Sequence, residues 1–128
     1  MTLAYKMAHQ IIKKHVNAND QDVIITQGSG MTAAIAKLQR MLGLHIPEKA
    51  KPFYKQLISE RPVVFLTHME HHSNQTSWLE CEVDVVVIPP GDNLLVDPKH
   101  LEQELNKYKD RKYKIGSFTS CSNVTGIF

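Results

Sequence analysis

A chain of 128 residues, 42% of them hydrophobic, makes one domain at most and carries enough apolar side chain to bury a core. Fifteen basic and thirteen acidic side chains leave a formal charge of +2, spread without an interleaved aromatic stripe, which reads as a solvated surface and excludes a nucleic-acid footprint. Two cysteines, Cys81 and Cys121, are too few for a disulfide framework, and no early apolar stretch resembles a signal peptide or a membrane span, so the expectation is a cytoplasmic protein with no membrane partner.

Apolar residues at Leu3, Met7, Ile11, Ile12 and Val16, with Lys6, Gln10, Lys13 and Lys14 between them, predict an amphipathic helix that ends at Asn17-Ala18-Asn19-Asp20. Val23-Ile24-Ile25 reads as a strand running into Thr26-Gln27-Gly28-Ser29-Gly30-Met31-Thr32. A second helix is expected over Met31 to Leu42, with Gly43 as its C′ residue. Pro47 and Pro52 bracket a charged connector, Glu48 to Lys51, that reads as a surface loop before a short helical piece around Phe53 to Ile58. The next strand starts at Pro62 and runs through Val63-Val64-Phe65-Leu66 into Thr67-His68-Met69-Glu70-His71-His72-Ser73-Asn74.

Gln75 to Leu79 suits a short helix, and Asp84 to Ile88 is a β-branched run of the kind buried on both faces of a parallel sheet. Pro89-Pro90-Gly91 ends it. Asp97 is an N-cap with Pro98 at N1, and Leu101, Leu105 and Tyr108 form an apolar stripe down to Lys109. The last strand, Tyr113 to Thr119, runs into Ser120-Cys121-Ser122-Asn123-Val124-Thr125-Gly126. Strands alternating with helices predict an α/β fold with a mainly parallel sheet and flanking helices.

Ligands of open α/β sheets sit outside the carboxyl ends of the strands, so the three polar junctions outline one site for a phosphorylated, aromatic ligand. At the first, backbone amides and the dipole of the following helix suit a phosphate, and Ser29 and Thr32 add hydroxyl donors. The glycines could equally serve only to make a turn. Gly28, Gly30 and Ala33 also satisfy a dinucleotide fingerprint, but that motif expects an acidic residue closing a second strand about 20 residues on. Glu48 lies instead in the proline-flanked connector. At the second junction an imidazole could cover an aromatic ring, or His68, His71, His72 and Glu70 could bind a metal. Adjacent His71 and His72 in an extended segment diverge, and neither cysteine has a metal-type spacing, so no metal is expected. Trp78 reads as a packing anchor. At the third, Ser122, Asn123 and Thr125 suit a phenolic oxygen or make local turn bonds. Cys121 has no identifiable partner base.

In this order the motifs resemble the large domain of the class V aminotransferase and cysteine desulfurase family, pyridoxal-phosphate enzymes of fold type I. The resemblance implies that Ser29-Gly30-Met31-Thr32 is the phosphate cup, that His71 of Glu70-His71-His72-Ser73-Asn74 stacks on the pyridine ring, and that Asn123 of Ser122-Asn123-Val124-Thr125-Gly126 lies by the ring hydroxyl. Ser77 stands where the family usually has proline, just before Trp78. The implied chemistry acts on an amino-acid substrate and uses the coenzyme as an electron sink, in desulfuration, another β-elimination or transamination. The family's Schiff-base lysine and its pyridinium-nitrogen aspartate lie on later strands and have no counterpart here. Residues 1–128 therefore read as an incomplete, N-terminal part of that large domain, inactive alone and homodimeric in its parent, whose Val23 strand lacks a neighbour. The competing reading is a non-catalytic α/β module that binds a phosphorylated metabolite or a protein partner.

Overall fold

The computed structural model describes residues 2–54 and 60–128. Three strands, β1 (Val63–Thr67), β2 (Asp84–Ile88) and β3 (Lys114–Gly116), form an all-parallel sheet in the order β2-β1-β3. Val64 pairs with Val85 on one side and Ile115 on the other, so β1 is the central strand and all five of its residues are buried.

Because side chains alternate along a strand, β1 supplies two cores. Val64 and Leu66 face Trp78, Cys81, Val83 and Leu44, with Ile35 packed against them. Val63 and Phe65 face Ile88, Leu101 and Tyr108, where the Tyr108 ring meets Phe65 edge-on at 5.9 Å. The first core is closed by α2 (Gly30–Met41) and α4 (His72–Leu79), the second by α5 (Pro98–Lys107).

Local chemistry sets the helix ends. Gly43, at φ 70°, donates to Arg40 O at 3.1 Å while Leu44 N reaches Gln39 O at 2.9 Å, the paired bonds of a Schellman motif that only a residue tolerant of positive φ closes without strain. The Asp97 carboxylate accepts from Lys99 N at 2.8 Å and Pro98 opens α5, as the sequence predicts.

Several expectations change. Residues 22–27 form no strand, and Val23 is 78% exposed. The free edges of the sheet lie on β2 and β3, and no backbone hydrogen bond joins this segment to either. The first polar junction therefore follows irregular chain, not a strand end. β2 is an edge strand, so its run is buried on both faces only at Ile88, and Val87 is 41% exposed. The connector between the prolines is a short 3-10 helix, Glu48–Ala50, followed directly by α3 (Lys51–Tyr54); residues 55–58 of the expected helical piece lie outside the described residues. β3 is shorter than Tyr113 to Thr119. The amphipathic α1 (Leu3–His15) forms as expected, yet Leu3, Met7 and Ile11 on its apolar face are exposed; Tyr5 Oη meets Thr26 Oγ1 at 2.6 Å.

Candidate functional site

The turn into α2 carries positive φ at Gly28 (37°) and Gly30 (78°), and a Cβ on Gly30 would meet nothing within 4 Å. Ser29 is the N-cap, but its side chain makes no bond to the helix, so the first-turn amides keep their donors facing outward. One turn in, Thr32 Oγ1 donates to Ser73 Oγ at 3.2 Å.

Ser73 belongs to α4, which begins earlier than its sequence signal suggests because His71 caps it. The His71 Nδ1 accepts from Ser73 N at 3.1 Å and lies 2.8 Å from Ser73 Oγ. A ring fixed at Nδ1 keeps its face available, and the residue is exposed.

Glu70 holds this corner together. Its Oε1 accepts from Thr67 Oγ1 at 2.8 Å and from Thr119 N at 2.8 Å, while Oε2 accepts from Asn74 Nδ2 at 2.9 Å. Asn74 Oδ1 in turn accepts from Trp78 Nε1 and from Ser117 Oγ, both at 3.1 Å. One network thus ties the end of β1, the buried face of α4 and the chain leaving β3. The sequence reading gave Glu70, Asn74 and Ser117 no such role, although Glu70, Asn74 and Trp78 recur at i, i+4 and i+8, the spacing of one helix face.

Two cavities of about 270 Å³ each flank this network. Met31, Thr32, His71 and Glu70 line the first, with Ser117 and Thr119. Glu70, His71, His68 and His72 line the second, with Asn123 and Val124. His71 and Glu70 belong to both. The structure therefore brings Met31, Thr32, His71 and Asn123 to one rim at the carboxyl ends of β1 and β3, with Ser29 and Gly30 one turn away at the start of α2. A larger space of about 440 Å³, beside Pro62, Tyr113 and Ile115, is at the opposite end of the strands, where open α/β sheets do not bind ligands.

Ser122 is buried and spends its hydroxyl on Val124 N and Thr125 N at 3.4 and 3.3 Å, a local turn that leaves Asn123 exposed. His71 and His72 do not diverge as an extended pair would. His72 opens a helix, and the two ring centroids lie 6.4 Å apart. Among the described residues no three His, Cys, Asp or Glu side chains are grouped to hold a metal ion. Both cysteines are free, and burial together with Glu80 pushes the Cys81 thiol up to about 11, far from a nucleophile's range.

The chain belongs to the aminotransferase class-V family, whose family model matches residues 1–128, its whole length. No curated protein and no solved structure matches it.

Proposed function

We propose that this class-V family member holds pyridoxal phosphate at the rim formed by Thr32, His71 and Asn123, as the N-terminal part of the coenzyme-binding domain of an enzyme acting on an amino acid. The observation that carries the reading is the sharing of His71 and Glu70 by two adjoining cavities, one reaching Thr32 and the other Asn123.

The donor set fits that coenzyme. Uncapped amides at the start of α2, with the Ser29 and Thr32 hydroxyls, would bind a phosphate dianion, and the open space over Gly30 lets it approach the backbone. The His71 face would stack on the pyridine ring, and the Asn123 amide would donate to its phenolic oxygen. Glu70, which lines both cavities, would keep these groups in register through its bonds to Thr67, Asn74 and Thr119. When bound, the coenzyme supplies the sink for electrons released as a bond at the amino acid's Cα breaks. Among the described residues no lysine lines either cavity, and we propose that the chain alone does not complete the reaction, whether transfer or elimination, which belongs to a homodimeric whole. Two free thiols support a reducing, cytoplasmic setting.

Spectral titration tests the reading. Pyridoxal phosphate binds at least about tenfold more tightly than inorganic phosphate, the factor that a stacked ring and one amide contact contribute. Borohydride treatment leaves no lysine stoichiometrically modified. Equal affinity for the two ligands supports the module that recognises only a phosphate.

A further inference from the structure

We propose that Ser73 is a positioning residue that fixes which nitrogen of His71 carries the proton and joins that ring to the Thr32 hydroxyl as one hydrogen-bonded unit. The polarity of the chain follows from its members. Ser73 N–H can only donate, so the Nδ1 that it meets at 3.1 Å presents a lone pair, and the neutral ring carries its proton on Nε2. The Ser73 hydroxyl, 2.8 Å from the same Nδ1, must then spend its single proton there. Its oxygen is left to accept, and Thr32 Oγ1 donates to it at 3.2 Å. Thr32 donates to Ser73, and Ser73 donates to His71.

The Thr32 hydroxyl has one proton. An anion at the start of α2 that takes this proton withdraws it from Ser73, so occupancy at α2 is felt at the His71 ring, 39 residues along the chain from Thr32, through the Thr32 and Ser73 hydroxyls. That consequence rests on the phosphate reading of α2; the proton assignment on His71 does not.

Nitrogen-resolved NMR of the histidine-labelled chain reads both. His71 signals, identified by their loss in His71→Gln, show the Nε2–H form as the dominant neutral species. Ser73→Ala lowers the ratio of Nε2–H to Nδ1–H forms by roughly two- to tenfold, the weight of one hydrogen bond, and Ser73→Thr restores it. Titration with inorganic phosphate moves the His71 ring signals in the wild type and far less in Ser73→Ala. A wild-type ring that is mainly Nδ1–H overturns the proton assignment, and an unchanged tautomer ratio in Ser73→Ala, or a ratio that Ser73→Thr does not recover, overturns the part played by the Ser73 hydroxyl. Phosphate that moves no ring signal in a protein with the expected tautomers defeats the phosphate reading of α2 and leaves the role of Ser73 standing.

Discussion

The Glu70 carboxylate accepts the backbone N–H of Thr119 at 2.8 Å, across 49 residues of sequence, and so locks the turn after β1 to the chain that leaves β3. Everything at the rim depends on this tie, because His71 follows Glu70 directly and Asn123 follows Thr119 by four residues. Hydrogen bonds to a charged acceptor contribute about 1.5–3 kcal/mol, and orphaned half-buried donors cost more. Glu70→Ala is expected to lose about 2–4 kcal/mol in denaturant unfolding, with Glu70→Gln intermediate, since its amide would face the Asn74 NH₂ with a second donor.

Trp78 is fully buried and places its indole N–H between Asn74 Oδ1 and Ser117 Oγ at 3.1 and 3.2 Å. Trp78→Phe keeps most of the apolar contact but removes the indole N–H from both acceptors, leaving Asn74 Oδ1 with the Ser117 hydroxyl alone, an expected loss of about 1–3 kcal/mol. Trp78→Ala adds a cavity and is expected to cost about 3–5 kcal/mol. Thermal or urea melts of the two variants separate the polar from the packing contribution.

These two residues show what was legible in the sequence and what was not. Helices α2 and α5 could be read because Gly43 and Asp97 act on neighbours a few residues away. The central strand could be read from Val63-Val64-Phe65-Leu66 alone. The tie from Glu70 to Thr119 could not, because Thr119 becomes its neighbour only when β3 pairs with β1. The Val23-Ile24-Ile25 run misled for the same reason: strand propensity is local, whereas a strand needs a hydrogen-bonded neighbour, and this run pairs with neither outer edge of the β2-β1-β3 sheet. The early start of α4 was hidden because histidine is an unusual N-cap, and its acceptor nitrogen does what a serine or aspartate oxygen does elsewhere.

Phosphate and ring recognition should separate by mutation. Thr32→Val removes a hydroxyl donor to a charged ligand and is expected to weaken inorganic phosphate and pyridoxal phosphate alike, by about tenfold or more. Asn123→Ala should weaken the coenzyme severalfold and leave phosphate binding unchanged. Parallel titrations of both variants with both ligands provide the check.

The buried Cys81 thiol gives a pH signature. Its pKa rises from the ordinary 9.0 to about 11 in the folded chain, so between these values the folded state holds a proton that the unfolded state has lost. Its stabilising effect is complete below pH 9 and fades as pH climbs through 11. Comparing wild type with Cys81→Ala cancels the other groups that titrate there. The wild-type advantage is expected to shrink by on the order of 2 kcal/mol over that window, measured by urea unfolding at successive pH values.

The coenzyme itself gives the most direct test, through a crystal structure of the chain grown with pyridoxal phosphate. The account predicts the phosphate within hydrogen-bond distance of the Ser29 to Thr32 backbone and the Thr32 hydroxyl, the pyridine ring over His71, and its phenolic oxygen beside Asn123. A coenzyme bound against any other face of the sheet, or a phosphate at α2 whose ring turns away from His71, would contradict it.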